Sequence, residues 1–444
     1  MCIAKRVTAS VIVLLASGQV QAWSDHANLV WPLLRTMPTM QQNTLLVEPL
    51  EDFLQAQAPA IRSLLADKEA QARRTWPNYA PRPDKLAFRV EASDLRGAFL
   101  TAIRVNPTLS YGLYRQTTVE DVQATLGRPL RRSELNLLAA DPSNAVTDYV
   151  ELQVGDRVSP AHVLASGSDE PDFGMDVGLF ADNNTEFGAD YGFGLQPFGN
   201  PNLPYGSQAP MHMGFYHLDW ITRTAQPSLL RTYPEWRIDL FRALARLAFD
   251  TGHAYWGWRF SGWGLHYIGD LTQPYHAEPL PGVGTPEALW LVARGKTDEI
   301  VQLVSNRHGV LESYQYQRVT DLLAIKDWKS PVLSAIASAA QNDEEAFDAS
   351  TVRDVLTRHS VEAGARLDAV LVEYMPARYV ADPDFEWTGS GEESDLIATL
   401  EREKSREAVA ALDAALVLQL RRFSRFARMW VDDARRTYQQ AKSP

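Results

Sequence analysis

His266 and Asp270 stand four positions apart, and the same gap recurs between His308 and Glu312. On a helix that gap sets two side chains on one face, about one turn apart. His276 follows Asp270 by six residues, in Gln273-Pro274-Tyr275-His276. Pro274 is expected to end the helix and turn the chain, so that His276 re-approaches the same place. Imidazole and carboxylate in repeated helical pairs are a donor set for zinc, which takes nitrogen and oxygen ligands at about 2.0–2.2 Å. Either pair alone also fits a surface hydrogen bond. The apolar run Trp263 to Ile268 would equally suit a satisfied core histidine. The repeat of the pair, with His276 beside it, favours the metal.

The elements that must position these residues read mainly as helix. Trp31, Leu33 and Leu34 follow a Ser24-Asp25 cap signal, and Leu45 to Leu65 shows apolar residues at three- and four-residue spacing. A helix is expected over Pro234 to Tyr255, with Ile238, Leu240, Phe241, Leu244, Leu247 and Ala248 on its apolar face. A second follows from about Tyr255 to Asp270. Helical patterns continue through Glu287–Arg294, Lys296–Val304 and Val310–Ile325, with His308 at the entry to the last. Gly389-Ser390-Gly391 reads as a linker. From about residue 392 an extended helical part runs to Gln440, with Leu396, Leu400, Leu412, Leu416, Phe423 and Trp430 as core positions.

Two stretches break this pattern. Residues 75–165 are rich in Pro and Arg and hold short β-leaning runs such as Leu86-Ala87-Phe88-Arg89-Val90, so a mixed insertion with some strand is expected. Glu170 to Asp219 is rich in Gly, Asn, Pro and aromatics and reads as one long ordered loop. The expected fold class is all-α, a helical bundle with long loops and a mixed insertion.

Composition narrows the partners. With 43 Lys and Arg against 55 Asp and Glu, the net charge is −12. That leaves no long-range attraction for duplex DNA or anionic lipid. The N-terminus has the grammar of a secretory signal peptide: basic Lys5 and Arg6, a short apolar run from Val7 to Ser17, and Val20-Gln21-Ala22 as a cleavage signal. The apolar run is too short to span a bilayer, and no other stretch is long enough, so no transmembrane segment is expected. Residues 1–22 are expected to leave, the mature domain to run over 23–444, and the protein to be secreted or periplasmic. Cleavage after Ala22 would expose Trp23 as the N-terminus. It would also remove Cys2, the single cysteine, so no disulfide is expected and stability must come from core burial, metals, or both.

The run His266-Tyr-Ile-Gly-Asp270-Leu-Thr-Gln-Pro-Tyr-His276 resembles the signature of the zinc-dependent phospholipases C, and the single-strand-specific zinc nucleases share a looser form of it. The preceding Phe241-Arg-Ala-Leu-Ala-Arg246 and the Gly252 turn resemble the same family, over roughly 45 continuous residues. The family begins with a mature tryptophan whose amino group and carbonyl oxygen bind zinc, and the independent cleavage argument places Trp23 there. The resemblance implies three zincs. His266 and Asp270 would hold the first, with Asp270 bridging to a second that Trp23 and His26 complete. His26 follows Trp23 at a shorter gap than the family uses. His276, His308 and Glu312 would hold the third. The first also needs an Asp and a His, for which Asp172 in Glu170-Pro171-Asp172-Phe173 and His212 in Ala209-Pro210-Met211-His212 match best, with His217 a competitor beside Asp219. The family places a carboxylate ligand at the position of Asp172 as the proton acceptor. His162, His253 and His359 have no motif around them.

The resemblance thus implies a zinc-dependent phosphodiesterase that releases diacylglycerol and a phosphorylated head group from phospholipid. A nuclease or nucleotidase acting on single-stranded nucleic acid is the enzymatic alternative. A zinc-stabilised binding protein without turnover is the third reading. The Trp, Tyr and Phe residues could line a choline or acyl groove or a base-stacking pocket, but most should simply pack the core. No membrane-binding β-sandwich of the kind that ends the clostridial toxins is visible.

Overall fold

The structure is a computed structural model that describes residues 25–42, 44–121, 127–137, 145–338, 347–348 and 350–442. The expected signal peptide, Cys2 and Trp23 lie outside the described residues. About 64% of the described residues are helical and 4% are strand, so the fold is predominantly all-α. No described helix is long and apolar enough to cross a membrane.

The helix Ala254–Thr272 is the axis of the fold. From Tyr255 to Thr272 every residue is buried, the pattern of a helix covered on all sides. Pro234–Asp250 precedes it through the turn at Gly252, whose φ of 87° only glycine adopts at no steric cost. Pro160–Asp169 crosses it at a point where a side chain would not fit. A Cβ on Gly262 would lie 2.6 Å from the Leu164 carbonyl oxygen and 2.9 Å from the Gly167 backbone. The long C-terminal helix Arg406–Lys442 closes another side, with Trp430 donating its indole N–H to the Ser261 carbonyl at 2.8 Å.

Several expectations are corrected by tertiary contacts. The second helix begins at Leu50, behind Pro49, and runs to Thr75. Leu45–Leu46 is instead a short strand paired antiparallel with Arg157–Val158. The run at Leu86 to Val90 is no strand. A 3-10 turn, Asp84–Leu86, opens it, and Leu86 and Phe88 turn inward without a strand partner, Phe88 onto the edge of Phe99. The strands of the insertion lie further on. Tyr114–Gln116 and Pro129–Arg131 both pair antiparallel with a central Val146–Glu151. The boundary near 165 falls inside helix Pro160–Asp169, which belongs with the axis rather than the insertion.

The stretch Glu170 to Asp219 is ordered but is not one loop. It holds 3-10 turns at Glu170–Phe173 and Gly188–Tyr191 and a helix at Pro204–His212. The two helices expected at 296–304 and 310–325 are one, Thr297–Ala324, so His308 sits mid-helix rather than at an entry. The C-terminal part forms two helices, Leu396–Glu403 and Arg406–Lys442, and its six expected core residues are all buried. Leu247 is half-buried, unlike the other five expected positions of its helix.

Candidate metal centre

His266 and Asp270 lie one turn apart on the axial helix, both without solvent exposure. The helix crossing at Gly262 and Gly167 delivers the partner that orients His266. Its Nδ1 donates to the Ser168 carbonyl at 2.8 Å, which leaves Nε2 as the lone-pair nitrogen. That nitrogen is 3.3 Å from Oδ2 of Asp270 and 3.7 Å from Oδ1 of Asp172.

Asp172 comes from the 3-10 turn Glu170–Phe173. This turn is pinned to the axis because Glu170 accepts from Arg259 Nε at 3.0 and 3.1 Å, deep in the core. His212 ends the helix Pro204–His212, and its Nδ1 lies 3.0 Å from both Asp270 Oδ2 and His266 Nε2. His26 opens the helix His26–Arg35, which Asp25 caps by accepting from the Asn28 N–H. Its Nε2 is 3.3 Å from the other Asp270 oxygen, Oδ1. Gly269 makes this approach fit, since a Cβ there would sit 2.9 Å from the His26 ring. Asp270 therefore faces His212 and His266 with one oxygen and His26 with the other.

A further group sits beyond the Pro274 turn. His276 donates from Nδ1 to the His212 carbonyl at 3.0 Å, which ties it to the first group and frees its Nε2. His308 Nε2 is 2.7 Å and His276 Nε2 is 3.7 Å from Glu312 Oε1. Tyr275 stacks on His308 with 15° between the rings, and its hydroxyl donates to Asp368 at 2.7 Å. Asp368 also receives Arg307 at 2.9 Å.

These side chains form three buried groups able to hold a metal ion: His26, His266 and Asp270; Asp172, His212 and His266; and His276, His308 and Glu312. Within each, the donor atoms lie within 4.8 Å of one another. The donor atoms themselves test the fit. Nε2 of His26, His276 and His308 and Oδ1 of Asp172 and Asp270 are all buried without a hydrogen-bond partner. Buried polar atoms left unpaired cost roughly 1–3 kcal/mol each, and cations held by the three groups would satisfy all five.

Electrostatics agree with that arrangement. Burial holds His308 down to about 3 and lowers His26 and His276, so their ring nitrogens keep free lone pairs. Burial pushes Glu312 up to about 8 and Asp172 up to about 7. Burial also opposes charge on Asp270, but the surrounding histidines outweigh it and hold the carboxyl well below its ordinary value. Against burial, the carboxylates of Asp176 and Asp270 lift His212 to about 10.

No family model matches the chain, and no curated protein or solved structure matches it.

His217 stands apart from the cluster, with Nε2 at 2.7 Å from the Arg353 carbonyl and 3.0 Å from the Thr357 hydroxyl. Its neighbour Asp219 caps the helix Trp220–Ala225. His253 pairs with Glu48 at 3.0 Å, His162 with the Ser159 hydroxyl at 2.8 Å, and His359 lies beside Phe426. Sequence reasoning passed over Asp176, which is fully buried and 3.4 Å from His212 Nε2. Its only sequence signal is a second aspartate one helical turn after Asp172.

The centre opens into a cleft of about 810 Å³ that reaches Asp172 and Glu312. One wall comes from the insertion, through Gln116, Arg132, Asp148 and Tyr149. Another comes from Tyr316 and Trp387. Thus the insertion is built into the site: Gln116 donates its backbone N–H to the Ser166 hydroxyl oxygen at 2.8 Å, and Tyr149 donates to Asp169.

Proposed function

We propose that this chain is a zinc-dependent phosphodiesterase of the phospholipase C type. The observation that carries the reading is the set of five partnerless donor atoms, buried in three adjacent groups of which Asp172 and Glu312 reach a cleft of about 810 Å³. His26, Asp172, His212, His266 and Asp270 would hold two zincs, with Trp23 completing one of them, and His276, His308 and Glu312 would hold a third. When bound, such ions neutralise charge on a phosphodiester and make a water more acidic.

The remaining work falls to the chain. Asp172 lies on the cleft lining, so its carboxylate can accept the proton of the attacking water through the oxygen not given to the metal. The water oxygen forms a bond to phosphorus, the bond from phosphorus to the glycerol oxygen breaks, and diacylglycerol leaves as a neutral alcohol after gaining a proton.

The cleft lining favours lipid over the nuclease reading. Away from the donor groups it carries one cation, Arg132, against Asp25, Asp148, Asp169 and Glu393. A single-stranded nucleic acid needs a positive track along its backbone, whereas a head group with its own cation does not. An exported protein is part of the same proposal, because a free Trp23 amino group requires removal of residues 1–22.

The test is product analysis with the zinc-loaded chain on phosphatidylcholine vesicles and, separately, on single-stranded DNA. Diacylglycerol and a phosphorylated head group are expected from the first and no cleavage from the second. Cleavage of DNA alone would replace the lipid reading with the nuclease one. Turnover of neither, with zinc bound, would favour a zinc-stabilised binding protein.

A further inference from the structure

His212 differs from the other four histidines of the centre in which ring nitrogen it presents. His26, His276 and His308 turn partnerless Nε2 atoms inward, and His266 commits Nδ1 to the Ser168 carbonyl and so also offers Nε2. His212 is reversed. Its Nδ1 lies among Asp270 Oδ2 and His266 Nε2 at 3.0 Å each, while its Nε2, also without a formed hydrogen bond, has Oδ2 of Asp176 as its facing carboxylate oxygen at 3.4 Å.

Asp176 cannot shift to meet another partner. It has no solvent exposure, Arg237 donates to its Oδ1, and Tyr267 donates its hydroxyl to Oδ2 at 2.5 Å. Arg237 is itself fully buried and fixed by the Ile103 and Arg104 carbonyls at 2.8 Å each. A rigid acceptor facing one imidazole nitrogen favours the proton on that nitrogen and leaves the lone pair on the other. From this geometry we infer that Asp176 is the positioning residue that keeps the proton of His212 on Nε2, dedicating Nδ1 to the metal. The inference rests on the metal centre proposed above and on no particular substrate. It also gives the insertion a reason to reach the core, since its Ile103 and Arg104 carbonyls hold the arginine that holds Asp176.

Asp176→Asn is the informative change. The amide oxygen can still accept from Arg237, but the amide N–H then faces His212 Nε2, a donor against a donor. The full chain labelled with ¹⁵N-histidine and loaded with zinc is read by long-range ¹H–¹⁵N spectra, and zinc affinity is read by competition with a chelating dye. The wild type is expected to show His212 protonated at Nε2 and metal-bound at Nδ1. In D176N that signature is expected to be lost, with zinc affinity about 10- to 100-fold weaker and the helical circular dichroism unchanged. Tyr267→Phe removes only a hydroxyl and serves as the second variant. It is expected to weaken zinc by a smaller factor, and it decides the matter if D176N fails to fold. Unchanged tautomer and affinity in a folded D176N, or in Y267F should that be the only folded variant, would overturn the role of Asp176. A wild type that binds no zinc would overturn the metal centre along with it, whereas a zinc-loaded chain inactive on phospholipid would overturn only the substrate reading.

Discussion

Gly262 and Gly167 meet backbone against backbone, and one residue further on Ser168 gives its carbonyl to Nδ1 of His266 at 2.8 Å. The closeness of two helices and the orientation of a candidate ligand are thus one feature. Gly262→Ala places a methyl 2.6 Å from the Leu164 carbonyl oxygen and must push the helices apart. Overpacking of this kind costs about 1–3 kcal/mol. Denaturant unfolding of G262A is expected to show that loss, with weaker zinc retention because His266 loses its acceptor. Wild-type stability in G262A would show that the crossing is looser than described.

Zinc uptake at neutral pH should release protons. In the metal-free chain His212 is raised to about 10 and Glu312 to about 8, so both carry a proton at pH 7 that a metal must displace. His308, held near 3, and the lowered His26 and His276 have none to give. Asp172, at about 7, is part protonated. The sign follows from these values: apparent affinity rises with pH from about 7 toward 10, as the displaced protons become cheaper to remove. With the Trp23 amino group, ordinarily protonated at pH 7, calorimetry in buffers of different ionisation enthalpy is expected to give roughly three protons released per fully loaded chain at pH 7. No release would contradict the assignment of His212 as a ligand.

Asp172→Asn separates proton acceptance from binding, because the amide keeps the shape and can still offer an oxygen to a metal. Loss of a general base lowers turnover roughly 10²- to 10⁴-fold. The expected outcome is a fall in kcat of that order with most of the zinc retained. A small change in kcat would move the base to another group.

Tyr275 and Asp368 hold His308 from behind, by ring stacking and by a hydroxyl donated to a carboxylate that Arg307 also grips. Tyr275→Phe keeps the stack and loses only the hydroxyl, so it is expected to cost about 1 kcal/mol of stability and little zinc. Tyr275→Ala frees the ring of His308, and its zinc stoichiometry is expected to fall by one ion. Equal zinc content in both variants would show that stacking does not fix His308.

Much of the centre was legible because it is local. His266, Asp270 and His276 follow from one helix and the proline that ends it, and His308 and Glu312 from one helical turn. The way Asp172 and His212 join them was not legible, because it depends on the Glu170–Arg259 bond and on a helix, Pro204–His212, with little apolar periodicity to announce it. The break expected between Val304 and Val310 failed for a similar reason. A polar stretch with a glycine looks like a helix end, but Asn306 is paired with the Phe385 carbonyl at 2.6 Å and the Trp387 N–H at 3.0 Å, and the helix runs through. Asp176 lay hidden because its partners, Arg237 and Tyr267, are distant in sequence and no spacing rule connects them.

Bound metal matters more to the proposed chemistry than any one substrate, so the deciding measurement is elemental analysis of the purified chain with sequencing of its N-terminus. A start at Trp23 with close to three zincs per chain, removed by a chelator together with activity and restored by zinc, is the predicted result. A chain that carries no zinc after loading would contradict it and leave the five partnerless donor atoms to be explained in some other way.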